Sequence, residues 1–328
     1  MGEFELLARI RERLPASGPR IHLGSGDDAA ISLPGGATAT SVDALVDGVH
    51  FRRDLATPTQ IGHKALATAL SDLAAMGAEP GEAYVVLGAP ADLGEEECID
   101  LLDGMLALAS DTGTDLAGGD LTRARELFLA ITVVGHAASP AAFVDRAGAR
   151  PGDALVLTGE IGGAAAGLEL LSDPELAKRI APADSKLQRA RQLEPLPRLA
   201  AGRALAEAGA SAMIDLSDGL GGDAAHLAEC SGSGLKIRCD ALPIAPGVAE
   251  LARATGRDPY ALAVSGGEDY ELLASIAPEH LAAARRRVLE AEEGIALTQI
   301  GEVVAGSGVE IRLPGGRLLE PAGYDHLA

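Results

Sequence analysis

The stretch Met213–Gly222, MIDLSDGLGG, contains the pattern that decides the fold class. A short apolar segment ends at Asp215, and helical spacing begins at Leu220 after a glycine. The surrounding sequence repeats this alternation, with expected strands at 154–158 and 212–216 and expected helices at 162–171, 196–208, 220–230 and 280–291. Strands that alternate with helices in this way predict α/β layers in this half of the chain.

The first 140 residues show a similar mixture. Apolar runs predict strands at 39–42, 83–87 and 127–135, and helical spacing predicts helices at 61–76 and 95–110. The segment AGARPGD at 147–153 combines glycine, proline and aspartate, which is typical of a turn or a link. Because 328 residues are also long for one domain, the sequence predicts two α/β domains, residues 1–146 and 147–328.

Composition excludes several classes of function. Acidic residues outnumber basic ones by 48 to 27, and the resulting net charge of −21 repels nucleic acid and anionic membranes. Three scattered cysteines (Cys98, Cys230 and Cys239) favour a reducing compartment over a disulfide framework or a zinc site. No apolar run is long enough to span a membrane, and the N-terminal MGEFELLARIRERLP has the charges of an amphipathic helix, not of a signal peptide. We therefore expect a cytoplasmic protein with no nucleic-acid or membrane partner.

Acidic residues recur beside glycine in separated segments. These are GSGDDAA at 24–30, DALVDGVHF at 43–51, AGGDLT at 117–122, MIDLSDGLGG at 213–222 and VSGGEDYEL at 264–272. Each segment alone could be an ordinary turn or a helix cap. The first also fits the G-x-G-x-x-A dinucleotide fingerprint, but the carboxylates of Asp27 and Asp28 would repel a pyrophosphate.

His50 follows the acidic turn at Asp47–Gly48 and could be either a packed or a functional histidine.

Asp72 is the one carboxylate on a predicted helix that is nearly apolar all round. Leu66, Leu70 and Leu73 form a stripe at helical spacing, and Asp72 lies off that stripe among small residues. A partly buried carboxylate needs either a cation or hydrogen bonds. The sequence leaves both a metal ligand and a structural aspartate open at this position.

Together these segments favour metal-assisted phosphoryl transfer. Mg²⁺ prefers oxygen ligands and commonly joins carboxylates to phosphates, and several carboxylates in one site imply several ions. No G-x-x-x-x-G-K-[ST] motif is present, which excludes a P-loop enzyme, and the absence of H-R-D and D-F-G excludes a protein kinase.

Seven segments in order, GDDAA, DALVDGVHF, SDLAAMGA, GGD, DLSDGL, SGGEDYEL and GYDHLA, resemble the thiamine-monophosphate kinase family over nearly the whole chain. The resemblance implies Mg²⁺-dependent transfer of the γ-phosphoryl of ATP to thiamine monophosphate. It also implies the two-domain fold of aminoimidazole ribonucleotide synthetase, with ATP in the cleft between the domains. The N-terminal domain would then form a homodimer through a shared β-barrel.

The resemblance further implies roles for single residues. The implied metal ligands are Asp27, Asp28, Ser41, Asp43, Asp72, Asp120, Asp215 and Asp218. The implied ATP contacts are Gly119, Asp120, Arg146 and Ser217, and the implied contacts to thiamine monophosphate are His50, Glu268 and Tyr324. One position departs from the family, because some members carry threonine where this chain has Val42, and a side-chain oxygen is lost there.

Two other functions remain open on the sequence alone. An aminoimidazole ribonucleotide synthetase-type ligase would have the same expected fold, and a non-catalytic acidic scaffold that binds cations would have the same negative charge. A selenophosphate synthetase would need a reactive cysteine near its N-terminus, but the first cysteine here is Cys98. We expect direct in-line transfer without a phosphoenzyme, because the acceptor is already an anionic phosphate and no Cys or Ser–His pair is placed as a covalent carrier.

Overall fold

The structure is a computed structural model that describes residues 6, 9–10, 12–14, 18–23, 30–321 and 323. The chain divides into two compact units. The first comprises Met1–Leu73 and Ala78–Pro140, and the second comprises Ala74–Gly77 and Ala141–Ala328. No helix in the described ranges has the length and apolarity needed to cross a membrane.

The first unit contains a four-stranded sheet and two long helices. The sheet order is β3-β6-β4-β5, with β3 Ala37–Val46, β4 Glu79–Ala89, β5 Asp115–Arg123 and β6 Phe128–Ala137. The β3–β6 and β6–β4 pairs are antiparallel and the β4–β5 pair is parallel. The helices are α1 Pro58–Ala75 and α2 Glu95–Thr112, and β1 Ile21–Leu23 pairs antiparallel with β2 Ile31–Ser32 in a separate two-stranded sheet. Within the described residues this sheet is open.

Small residues allow the two helices of this unit to pack closely. A Cβ at Gly62 of α1 would overlap the carbonyl oxygen of Leu101, and a Cβ at Gly104 of α2 would overlap that of Thr59. The predicted leucine stripe of α1 is confirmed, since Leu66, Leu70 and Leu73 are all buried. A chain with few aromatic residues thus fills this core through close backbone approach.

The second unit is built on a seven-stranded sheet in the order β13-β12-β9-β11-β7-β10-β8. All neighbouring pairs are antiparallel except β9–β12. The strands are β7 Ala154–Thr158, β8 Ala210–Asp215, β9 Gly234–Arg238, β10 Leu272–Ile276, β11 Leu297–Val304, β12 Gly308–Arg312 and β13 Leu318–Leu319. The helices are α3 Gly163–Ser172, α4 Pro174–Ala177, α5 Pro182–Leu193, α6 Leu199–Glu207, α7 Leu220–Ser231, α8 Val248–Thr255, α9 Pro259–Ser265 and α10 Leu281–Ala291.

The predicted elements are confirmed with shifts of a few residues at their ends, but two segments differ. The glycines of AGGDLT leave a turn and a close backbone approach to a ligand open, and the structure places them inside β5, where a Cβ at Gly119 would overlap the carbonyl oxygen of Val85. The alternation of DYELLASI at 269–276 predicts a strand throughout, whereas β10 begins only at Leu272. Glu268 and Tyr270 have φ angles of 67° and 50°, which a strand does not allow.

Candidate functional site

In the first unit, the structure brings Ser41 and Asp72 together. Ser41 lies on β3 and its hydroxyl donates a hydrogen bond to Asp72 Oδ2 on α1. Both residues are half-buried, and Asp72 lies between buried Ser71 and buried Leu73. Two oxygen ligands of the kind that Mg²⁺ prefers therefore meet at the junction of the sheet and α1.

Alternation along β3 separates the neighbouring candidates. Ser41 and Asp43 lie on one side of the strand, and Val42, which is 66% exposed, lies on the other. Asp43 Oδ1 accepts a hydrogen bond of 2.8 Å from the Ala44 backbone N–H. The side chain at position 42 therefore points away from the Ser41–Asp72 pair. Val42 can contribute only its backbone carbonyl oxygen as a ligand on the side of the strand where that pair lies.

Gly119 and Asp120 lie on the far edge of the same sheet. Gly119 pairs with Val85 of β4, and Asp120, which is exposed, pairs with Val86. Three strand spacings, or about 14 Å, separate the backbones of β3 and β5 in a regular sheet. Two aspartate side chains do not span that distance to one ion in a regular sheet, so within one chain Asp43 and Asp120 would serve different ions.

His50 lies in the turn that follows β3, as predicted. The Val46 backbone N–H donates to His50 Nδ1 at 3.1 Å, so the neutral ring carries its hydrogen on Nε2. The Lys64 ammonium, which is buried on α1, donates to the His50 carbonyl oxygen at 3.2 Å. The imidazole is thus held in one orientation, which fits a role in binding and orienting a ligand.

In the second unit, three aspartates lie near one another where β8 ends and α7 begins. Asp215 is the last residue of β8 and is buried, and Asp218 follows in the connecting turn. Asp223, in the first turn of α7, accepts a hydrogen bond of 3.1 Å from the Asp218 N–H. Burial raises the pKa of Asp223 to about 8, and the negative charges of Asp215 and Asp218 add to that effect.

The 266–270 loop packs directly on this turn. The N–H groups of Glu268 and Tyr270 donate to the carbonyl oxygens of Ser217 and Leu216 at 2.8 and 2.9 Å. Asp269, between them, accepts hydrogen bonds from the Gly162 and Ala164 N–H groups at 2.6 and 3.0 Å. Burial raises the pKa of Asp269 to about 7, although these two N–H groups act in the opposite direction.

A buried ion pair anchors the end of this loop. Arg198 donates two hydrogen bonds to Glu271, of 2.9 and 2.6 Å, and a third of 2.6 Å to Glu292. Thr158 of β7 also donates to Glu271, at 2.7 Å. Burial alone would lower the pKa of Arg198, but the two carboxylates outweigh it and raise the pKa above its ordinary value.

The remaining predicted residues are placed as follows. Ser217 is half-buried in the same turn as Asp218, whereas Arg146 is exposed and its carbonyl oxygen accepts from the Ser231 hydroxyl. Asp27, Asp28 and Tyr324 lie outside the described residues. Gly323, which is described, lies with its backbone against Gly222 in the first turn of α7.

Sequence reasoning missed several residues of this region. Asp223 was passed over although it stands five residues after Asp218, and that spacing across a helix start was the available signal. Lys64 was also missed, although it is the single lysine on α1 and lies on a nearly apolar helix. Gln192 and Arg198 carry no local signal, because their partners are 73 or more residues away in the sequence. Glu271 lies within VSGGEDYEL, but nothing in that segment indicates its pairing with Arg198.

The donor set fits Mg²⁺ by its chemistry. The candidates in both units are carboxylate and hydroxyl oxygens, and crowding of Asp215, Asp218 and Asp223 is the arrangement that a cation would relieve. Within the described residues no three His, Cys, Asp or Glu side chains are arranged around a single metal position. Mg²⁺ often binds through one or two carboxylates plus substrate phosphates, so this arrangement suits an ion that arrives with a nucleotide.

We predict that Mg²⁺ stabilises the protein more at pH 8 than at pH 6. The folded protein keeps the proton of Asp223 up to about pH 8, whereas the unfolded chain releases it at a much lower pH. The free energy of unfolding therefore falls as pH rises towards 8. Mg²⁺ competes with protons, so it should offset the lost stability mainly at the higher pH. Thermal melts with Mg²⁺ or with EDTA at both pH values test this, and an equal shift at the two values would contradict it. Asp223→Asn should reduce the difference.

Comparison with known proteins gives a consistent result. Residues 26–137 match the N-terminal domain, and residues 150–314 the C-terminal domain, of AIR synthase related protein. The thiamine-monophosphate kinase of Salmonella typhimurium is 38% identical over 332 residues, which cover 100% of this chain and 98% of that protein.

Solved structures extend the comparison. The thiamine-monophosphate kinase of Stenotrophomonas maltophilia superposes with a TM-score of 0.83 at 36% identity, over 95% of this chain and 96% of that one. AaThiL complexed with AMPPCP and TMP superposes with a TM-score of 0.77 at 28% identity, over 99% and 97% of the two chains. The two-domain α/β fold, the acidic clusters in each unit and this full-length similarity lead to one conclusion: the chain belongs to the thiamine-monophosphate kinase family of AIR synthase related proteins.

Proposed function

We propose that the protein phosphorylates thiamine monophosphate with ATP, giving thiamine diphosphate and ADP. The observation that carries this proposal is the full-length similarity to named thiamine-monophosphate kinases. The hydrogen-bonded Ser41–Asp72 pair and the Asp215–Asp218–Asp223 cluster supply chemical support. In the reaction, the bond between the γ-phosphorus and the β,γ-bridging oxygen of ATP breaks. A new bond forms between that phosphorus and a phosphate oxygen of thiamine monophosphate.

We propose that oxygen ligands from both units bind Mg²⁺ and that other groups bind the two substrates. The proposed metal ligands are Asp27, Asp28, Ser41, Asp43, Asp72, Asp120, Asp215 and Asp218. The proposed ATP contacts are Gly119, Asp120, Arg146 and Ser217, and those to thiamine monophosphate are His50, Glu268 and Tyr324. Mg²⁺, when bound, would relieve the repulsion between an anionic acceptor and an anionic phosphoryl donor.

The chain's own residues have separable parts in this proposal. The imidazole of His50, held through Nδ1 by the Val46 N–H, orients the acceptor. The 266–270 loop presents Glu268 next to the turn that contains Asp218. We assign metal and ATP binding and dimerisation to residues 1–146, and a second α/β domain to residues 147–328. The free thiols of Cys98, Cys230 and Cys239 support a reducing compartment such as the cytoplasm.

The test is an assay with purified protein, ATP, Mg²⁺ and thiamine monophosphate. Thiamine diphosphate and ADP should appear in equal amounts, and omission of Mg²⁺ should abolish both. A protein that instead forms ADP and free phosphate only with formylglycinamidine ribonucleotide would be a synthetase of the same fold. Binding of cations without turnover of either substrate would support the acidic scaffold.

We propose that the transfer is direct and in line. Cys98 and Cys239 are buried, and burial raises the pKa of both thiols, which disfavours the thiolate that a covalent carrier would need. Cys230 is exposed on α7. With a chiral γ-thiophosphate, a single displacement should invert the configuration at phosphorus. Net retention, or a labelled phosphoprotein after incubation with ATP alone, would indicate a two-step route, with His50 as the first residue to test.

We propose that the protein is a two-fold homodimer formed through the open face of the first sheet, with the shared β-barrel of the family. Along β3 the exposed positions alternate, and Val42 on that face is 66% exposed. Exposed apolar sheet faces and edges are usually covered by another chain.

Light scattering should give twice the mass of one chain, and Val42→Lys should give a monomer. Leu289→Lys on α10, a 59% exposed leucine of the second unit, should leave the dimer intact. A wild-type monomer at micromolar concentration would refute this proposal.

A further inference from the structure

The backbone of the 266–270 loop is held in a strained conformation around Glu268. Glu268 and Tyr270 both have φ in the left-handed region, which residues with a side chain seldom adopt. Hydrogen bonds from their N–H groups to the 216–217 backbone, and from the α3 N-terminus to Asp269, hold the loop in place. Strain of this kind concentrates where a side chain must be presented in one direction. The loop therefore fixes the origin of the Glu268 side chain.

Gln192 fixes the other end of that side chain. Gln192 lies in the last turn of α5 and is only 5% exposed. Its amide Nε2 donates a hydrogen bond of 2.6 Å to Glu268 Oε2, across 76 residues of sequence. The adjacent Arg191 is engaged elsewhere, with Glu160 at 2.6 Å. Gln192 thus orients the carboxylate through a neutral amide and adds no positive charge of its own.

We propose that Gln192 is a positioning residue for substrate recognition: it sets the orientation in which Glu268 meets the thiamine moiety of the acceptor. This inference rests on the proposed function. The thiamine moiety offers an exocyclic amine that donates hydrogen bonds and a cationic thiazolium ring, and a fixed carboxylate recognises either group well. If the Glu268 side chain were mobile, part of the free energy of substrate binding would be lost in ordering it. The hydrogen bond from Gln192 orders the side chain before the substrate binds and so avoids that loss.

A second glutamine on α5 provides a matched control. Gln188 lies one turn earlier on the same buried face and is fully buried. Its amide Nε2 donates to the Pro246 carbonyl oxygen and has no bond to the 266–270 loop. Replacement of either glutamine by methionine removes one buried amide from the same helix, so both changes should cost similar stability. Only the change at Gln192 should alter substrate recognition.

The test compares Gln192→Met with Gln188→Met in steady-state kinetics and in thermal melts. Gln192→Met should raise KM for thiamine monophosphate about tenfold, which is the loss of one hydrogen bond to a charged group. KM for ATP should stay within about twofold of the wild type for both variants, since neither glutamine contacts a proposed ATP ligand. Gln188→Met should leave KM for thiamine monophosphate unchanged while it lowers Tm by a similar amount.

A double-variant cycle distinguishes positioning from a purely structural role. If Gln192 acts through Glu268, Gln192→Met should have no further effect on KM in a Glu268→Gln background. Equal effects with and without Glu268, or an unchanged KM in Gln192→Met, would overturn the inference. Calorimetric titration with thiamine monophosphate separates the two proposals. Wild-type protein that does not bind the compound refutes the function and the inference together, whereas equal binding by wild type and Gln192→Met refutes only the inference.

Discussion

Replacing Asp72 by asparagine should lower Mg²⁺-dependent turnover by between about a hundredfold and a thousandfold, which is the range for loss of one electrostatic group in an active site. The substitution keeps the shape of the side chain and removes its charge. The amide oxygen of the new side chain can still accept the hydrogen bond from the Ser41 hydroxyl, so the junction between β3 and α1 should persist. The expected result is therefore a folded protein that has lost most of its activity.

The measurement is turnover as a function of Mg²⁺ concentration, together with a thermal melt. A higher Mg²⁺ requirement at nearly unchanged Tm would support a metal ligand. A large fall in Tm without a change in Mg²⁺ dependence would show that Asp72 is a structural aspartate, the alternative that the sequence left open. Asp103→Asn is the control, because Asp103 is an acid of the same unit that pairs with Arg13 near the surface. That variant should retain activity.

Replacing Arg198 by methionine should destabilise the protein by about 3–5 kcal/mol, the usual cost of removing one partner from a buried ion pair. Arg198 is 13% exposed and Glu271 only 2% exposed, so the carboxylate would remain buried without its cation. The loss should lower Tm by about 4–7 °C for a chain of this size. Because Glu271 closes the loop that carries Glu268, activity should fall as well.

Two further variants make the Arg198 prediction specific. Arg287→Met breaks an ion pair with Glu207 in which both side chains are about half exposed, and it should cost less than about 1 kcal/mol. In a combined Arg198→Met, Glu271→Met variant, part of the lost stability should return, because the buried charge is removed together with its partner. Urea unfolding of the four proteins measures all of these differences. An Arg198→Met variant as stable as Arg287→Met would contradict the prediction.

Local sequence patterns were enough to predict the secondary-structure elements and to indicate the chemistry expected of the candidate site. Apolar periodicity is a local property, so the helix carrying Leu66, Leu70 and Leu73 and the strand at 154–158 were predictable. Acidic residues beside glycine indicated oxygen ligands and therefore a hard cation. The order of the motifs indicated the family, which the full-length similarity then showed.

Which of these residues lie together depends on strand register and on contacts between distant segments, and neither can be read from local sequence. Pairing with β4 places Gly119 and Asp120 in a strand, although a segment with two glycines is also typical of a turn. The Asp269 carboxylate binds the α3 N-terminus more than 100 residues away, and the loop it anchors delays the start of β10.

The same physical reason explains the residues that the sequence did not reveal. Ser41 and Asp72 share a hydrogen bond because β3 and α1 pack together, and strand alternation turns Val42 to the other side. Gln192 carries no motif, and its place beside Glu268 arises from the packing of α5 near the 266–270 loop. Local sequence preferences specify the type of each element and the chemistry it carries, whereas long-range packing specifies the partners of each side chain.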